Sequence, residues 1–268
     1  MFRESFSIVN ARGDPLSCGA MIPTPVRSGR VVSDLHLFSR RSDGEALFRS
    51  LEPQLAPDET LVLNGDTFDF RWSTLQDEAS TIDAAVRWLA GVLERGPRRE
   101  IHFLLGNHDC HAGFRRRLED LGGRHPRLHC HEFRLQLGNC LFLHGDCTNR
   151  RMDHDRLARF RDAWSRDRQR GQVAAAAYGA IDAIGLSRRF HDWYFPERTT
   201  VRRLAHHLDL TDPGWDQRVS HCFFGHTHRP FESAVFRGVN FSNTGSAIRG
   251  MGFLPLAFRW VPDTATVP

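Results

Sequence analysis

The chain has 268 residues, 40% of them hydrophobic and 25% charged, a length that supports one large core or at most two modest domains. This composition excludes a disordered or fibrous protein. All 36 basic residues are arginine, set against 32 Asp and Glu, so the formal charge is +4 and any chemistry that needs a lysine is excluded. So small a surplus does not indicate a nucleic-acid binder, and where the charge clusters matters more than its sum.

Residues 1–28 are polar and rich in Gly and Pro, and read as a loose N-terminal extension without a continuous apolar signal segment. No run approaches the ~20 apolar residues of a membrane span. Six cysteines at 18, 110, 130, 140, 147 and 222 form no CxxC pair, which fits reduced thiols and a cytoplasmic location.

Five short apolar runs then end abruptly in Asp, Asn or His. Arg30-Val31-Val32 leads into Ser33-Asp34-Leu35-His36, and Leu61-Val62-Leu63 into Asn64-Gly65-Asp66. Ile101–Leu105 leads into Gly106-Asn107-His108-Asp109, Cys140–Leu143 into His144-Gly145-Asp146, and Cys222-Phe223-Phe224 into Gly225-His226-Thr227-His228. Apolar runs of this length, stopped by Gly, read as buried strands. Between the early runs, Asp77–Arg95 carries Ile82, Val86, Leu89 and Leu93 at helical spacing behind an acidic cap. The alternation predicts parallel pairing at first. Leu128–Leu137, the 140–143 run, Ser233–Ser242 and Pro255–Val261 have few helices between them and predict antiparallel strands. The expected fold is α/β with two packed mixed sheets, the polar clusters gathered at the carboxyl ends of the strands.

From 149 to 210 the sequence is helical, with 13 Arg against 8 Asp and Glu, a surplus of five. It reads as a helical cap inserted into a core of residues 29–148 and 211–268. Val173, Tyr178, Ile181 and Ile184 fall on one helical face of this insertion, suited either to an acyl groove or to packing on the body.

Asp34 and His36, spaced by two, share a side of an extended segment and can grip one ion through carboxylate and imidazole. Asp66, Asn107, His144, His226 and His228 add oxygen and nitrogen donors at neighbouring strand ends. A donor set without thiolate favours Mn, Fe or Zn over copper or a closed structural zinc site.

The order D-x-H, GD-x-x-D, GNHD, HGD, GHTH resembles the calcineurin-like metallophosphoesterases from Asp34 to His228. The resemblance implies an αββα sandwich and a dinuclear metal site. Asp66 would bridge two divalent ions, most simply Mn2+, with Asp34, His36 and His228 completing one and Asn107, His144 and His226 the other. It further implies attack on phosphorus by a hydroxide bridging the metals, with His108 off the metals as transition-state stabiliser or general acid and Asp69 orienting it.

Protein phosphatases of the family place Arg-Gly after the second Asp of the second motif, whereas Asp69 is followed by Phe70-Arg71-Trp72. Gly65-Asp66-Thr67-Phe68-Asp69, and His144-Gly145-Asp146 followed by Leu157-Ala158-Arg159-Phe160-Arg161, are similar to the UDP-2,3-diacylglucosamine hydrolases. That similarity implies a phosphodiesterase or pyrophosphatase acting on a nucleotide-linked lipid, with peripheral contact at the inner membrane surface through the cap. Two departures separate the chain from this subgroup: His108 stands where it typically carries Arg, and the acidic pattern after Asp69 is absent. A soluble nucleotide or nucleic acid is the alternative substrate, and a catalytically silent protein-binding scaffold is the alternative function. No protein or nucleic-acid partner is indicated. Arg71, Arg150, Arg151 and Arg161 are the expected phosphate or headgroup contacts, since guanidinium grips phosphate bidentately.

Overall fold

The computed structural model describes residues 26–171 and 186–262. Most of the expected N-terminal extension, and Val173, Tyr178, Ile181 and Ile184, lie outside these residues. The first strand begins at Arg27, two residues before the expected edge of the core.

The first sheet is built as the alternation of runs and helices predicts. β1 (Arg27–Val32), α1 (Gly44–Leu51), β2 (Thr60–Asn64), α2 (Glu78–Arg95), β3 (Ile101–Leu104), α3 (Ala112–Arg124) and β4 (Leu128–His131) follow in order. β1 to β4 pair in parallel in sequence order. α2 starts where Asp77 accepts a hydrogen bond from Ser80 N at 2.7 Å, satisfying one of the free donors of the first turn. Its inward face is the expected one, with Val86, Leu89 and Leu93 buried and Ile82 packed against the same core.

The second sheet has the order β5-β6-β7-β9-β8, from β5 (Arg134–Leu137), β6 (Cys140–Leu143), β7 (His221–Phe224), β8 (Phe231–Phe236) and β9 (Val239–Asn243). Arg237 and Gly238, at φ +50° and +79°, make the two-residue turn that matches the twist of the β8–β9 hairpin. β10 (Gly245–Ser246) and β11 (Gly252–Phe253) form a small antiparallel pair, and β12 (Leu256–Trp260) runs antiparallel beside β1.

The expectation of antiparallel strands from Leu128 onward needs two corrections. Residues 128–137 are two strands that part company after His131: β4 stays parallel to β3, and β5 crosses to the second sheet. β6 and β7 are also parallel, because the chain between them makes a long helical crossover.

Three apolar layers hold the sandwich together. Val31, Val62, Phe142, Phe223 and Phe258 pack between the sheets, and Phe48, Leu89, Phe103 and Phe114 pack α1 to α3 on the first sheet. The second sheet is covered by Leu157 of α4 (His154–Ser165), Leu204 and Leu208 of α6 (Glu197–Thr211) and Trp215 of α7 (Trp215–Arg218). The 149–210 insertion therefore divides. α4 and α6 form part of the outer helical layer, and the capping side is shared by Phe160 and Trp164 of α4 with α5 (Leu186–Tyr194) and Phe195 beside it. Cys110, Cys130, Cys140, Cys147 and Cys222 are free thiols. Among the described residues, no helix is long and apolar enough to cross a membrane.

Candidate functional site

All five polar clusters converge at the carboxyl ends of β1, β2, β3, β6 and β7, where neighbouring strand exits are knitted together. Asp34 N donates to Gly65 O at 3.0 Å and His36 N to Asp66 O at 2.9 Å. Asp34, His36, Asp66, His226 and His228 all have φ between +45° and +65°, a left-handed conformation that non-glycine residues seldom adopt and that clusters at functional sites. The turn swings each side chain inward at the point where its strand stops. A Cβ on Gly106 would clash with the Asp66 carboxylate, and one on Gly225 with the Asp34 carboxylate. These two glycines are the spaces into which those carboxylates fit.

Two donor groups stand side by side, Asp34, His36 and His228 in one and Asp66, His144 and His226 in the other, and a third, His36, Asp66 and His108, links them; the ligating atoms of each lie within 4.8 Å of one another. In the first, His228 Nε2 lies 3.2 Å from Asp34 Oδ1 and 3.3 Å from His36 Nε2, spacings suited to donors around one ion bound at about 2.0–2.2 Å. Asp66 Oδ2 faces both groups, 3.9 Å from His36 Nε2 and 3.2 Å from His144 Nε2. The other oxygen of Asp66 accepts from His108 N at 2.7 Å. Asp34 Oδ1, Asn107 Oδ1 and His144 Nε2 are buried and have no hydrogen-bond partner. Buried polar atoms are normally satisfied, so three orphaned donors aimed at one place, drawn from carboxylate, amide and imidazole, fit hard or borderline divalent cations.

The charge balance agrees. Burial works against ionising Asp34, but the neighbouring His228 and His36 imidazoles more than offset it and hold the carboxyl well below its usual range. Burial likewise works against protonating His36 and His144, yet Asp34 and Asp69 raise the first to about 9, and Asp66 raises the second to about 10. Ionised carboxylates in a buried pocket demand positive charge, which bound cations would supply, whereas burial lowers His226 to about 4 and His228 to about 3.

Asp69 is fully buried and serves two imidazoles, with Oδ1 2.9 Å from His108 Nδ1 and Oδ2 3.4 Å from His36 Nδ1. Asp109, which spacing does not single out, accepts from Gly106 N at 2.6 Å and Thr67 N at 2.8 Å, clamping the Asn107 loop to the Asp66 loop. Burial and the nearby Asp66 raise its pKa to about 7.

Above the donors lies a cavity of about 340 Å³. Asp66, Asn107, His108, His226 and His228 line it together with Arg41 and Asn149, while Phe160, Trp164, His191, Tyr194 and Phe195 form an aromatic wall from the insertion. None of the four arginines expected to grip phosphate lines this cavity. Arg161 is buried in a bidentate pair with Asp146, at 2.8 and 3.0 Å, and also donates to Glu132 O. Arg71 is paired with Asp167 at 3.1 Å and stacks over Trp164, whose ring in turn abuts His108. Arg150 opens onto a separate hollow with Arg156 and Arg159, and Arg151 is exposed. The arginine at the cavity is Arg41, which lies outside every motif.

The family model for the calcineurin-like phosphoesterases matches residues 30–230. The chain belongs to that family. As a calcineurin-like phosphoesterase it is a metal-dependent phosphohydrolase, of a family that binds two divalent metals. No curated protein matches its sequence. Among solved structures it is similar to the phosphopantetheinyl hydrolase from Mycobacterium tuberculosis, at 16% identity over 91% of this chain and 99% of that one, with a TM-score of 0.42. It is also similar to a dimetal phosphatase from Danio rerio, at 14% identity over 84% of this chain and 88% of that one, with a TM-score of 0.43.

Proposed function

We propose that this phosphoesterase hydrolyses a phosphodiester or pyrophosphate bond in a nucleotide-linked lipid. The observation that carries the reading is the pair of donor groups that Asp66 Oδ2 faces, with an aromatic wall directly above them. A purely ionic phosphate has no use for Phe160, Trp164, Tyr194 and Phe195, whereas a base or acyl chain beside the scissile bond does.

Asp34, His36 and His228 would hold one ion, Asn107, His144 and His226 the other, with Asp66 common to both. Mn2+ is the cation we favour for this donor set. Two divalent ions, when bound, neutralise the phosphate and lower the pKa of the attacking water. The remaining work belongs to side chains. His108, held through Nδ1 by Asp69, presents Nε2 to the cavity, where it stabilises the transition state or protonates the departing oxygen. Trp164 and the Arg71 stacked on it keep that imidazole from swinging away. Arg41 stands where a phosphate oxygen would need a fixed cation.

The test is a mass-spectrometric product assay with Mn2+ on UDP-2,3-diacylglucosamine, a soluble UDP-sugar and bis-p-nitrophenyl phosphate. Release of UMP from the lipid substrate alone is the expected result. Hydrolysis of the small diesters only would retain the phosphohydrolase and refute the lipid assignment.

A further inference from the structure

His226 belongs to the donor group completed by Asp66 and His144, and its two ring nitrogens have separate duties. Nε2 lies 2.8 Å from Asn149 Oδ1. An amide oxygen only accepts, so the imidazole donates through Nε2–H and carries its lone pair on Nδ1, the form a cation requires. The backbone of His226 is fixed independently, its N–H donating to Asp34 Oδ2 at 2.8 Å. That bond sets where the side chain leaves the backbone but neither of its two torsions, and with His144 and Phe195 beside the ring the bond to Asn149 is the polar contact that orients it.

Asn149 is itself held from the insertion. It ends the 3-10 turn Asp146–Asn149, closed by Thr148 N donating to Gly145 O at 2.9 Å. Its backbone carbonyl accepts from Tyr194 Oη, at the end of α5, at 2.7 Å. The preceding carbonyl, Thr148 O, accepts from Arg203 Nη1 of α6 at 2.9 Å. A continuous chain of bonds thus runs from the capping helix through one residue to a candidate ligand.

We infer that Asn149 is the positioning residue for the cation held by His226, and that Tyr194 couples the seating of α5 to occupancy of that position. The inference rests on the dinuclear reading above. Coupling of this kind is reciprocal: a cation bound there steadies α5 by the same factor by which seated α5 tightens the cation. A substrate that displaces Tyr194 would in turn loosen one cation and leave the other in place.

The experiment is calorimetric titration of the metal-stripped full chain with Mn2+, with metal content checked by mass spectrometry after dialysis. The wild-type protein binds two ions. Asn149→Ala weakens one of them by about 10–100-fold, the usual effect of losing a residue that orients a ligand, while Asn149→Asp, whose carboxylate accepts the same bond, restores it. Tyr194→Phe weakens the same ion by about 3–10-fold, as loss of one hydrogen bond allows. In the wild-type protein Mn2+ slows amide exchange across 186–194, and in Tyr194→Phe it does not. If Asn149→Ala fails to fold, Asn149→Gln, with its amide one methylene further out, carries the same expectation. Two ions bound at wild-type affinity by the Ala variant, or an Asp variant as weak as Ala, would overturn the inference. Fewer than two ions in the wild-type protein would instead sink the dinuclear reading beneath it.

Discussion

At Asp34, His36, Asp66, His226 and His228 the chain accepts left-handed backbone, at about 1–2 kcal/mol per residue, in order to aim one side chain each. These five are legible from sequence because their type and spacing recur at strand ends. His108 shares that legibility, and its proposed role makes a sharp forecast: His108→Asn keeps both metals but lowers kcat by about 10²–10⁴-fold, most for poor leaving groups, as steady-state kinetics alongside metal analysis would show. If metal content fell with the rate, His108 would be a ligand. Arg161 illustrates what charge alone does not reveal. Its residue type suggests phosphate binding, whereas its burial against Asp146 makes it part of the scaffold. Removing one partner of a buried pair strands the other, so Arg161→Met should cost about 3–5 kcal/mol in a urea melt, with little change in KM for the enzyme that remains folded. Asn149 and Arg41 escape sequence reading for the converse reason: a lone Asn or Arg gains its meaning only from what the fold brings beside it.

Among the elements, β3 and β4 carry a feature with no part in the proposed chemistry. His102 of β3 and His129 and His131 of β4 project from one face of the pair and stack, with ring centroids 4.8 and 5.3 Å from His102. Burial lowers His102 to about 3, helped by the charges of His131 and His129, and lowers His131 to about 4. Both values lie below that of an unfolded histidine near 6.5, so the unfolded chain binds more protons. Their contribution is then complete above pH 6.5 and is lost as pH falls towards 4 and then 3. His102→Leu should accordingly shift the acid unfolding midpoint downward in a fluorescence titration, and an unchanged midpoint would exclude this array as a source of acid lability. The separation of β4 from β5 is what apolar patterning misses here, since both are short, apolar at alternate positions and interrupted only by Glu132-Phe133. Which sheet a strand joins is settled by the partners waiting for it.

For the molecule as a whole, αββα layering and the site at one edge of both sheets follow from patterning plus motif order. The division of the 149–210 insertion between scaffold and cap does not, because the apolar faces of α4 and α6 look alike whether they cover a sheet or a substrate. Cations that bind only the folded state stabilise it by mass action, by about 2.7 kcal/mol at a hundredfold excess over Kd. EDTA should therefore abolish activity and lower Tm by about 5–10 °C, both restored by Mn2+; a Tm indifferent to chelation would count against cations bound in the folded core. The parallel pairing of β6 with β7 carries a further consequence, for the order in which the protein is made. His144 leaves the ribosome long before His226 and His228, and Leu141 meets Cys222 only after the whole intervening crossover has been synthesised. Closure over so long a separation is slow, so the nascent chain carries five of the seven proposed metal ligands and lacks His226 and His228 until the second sheet closes.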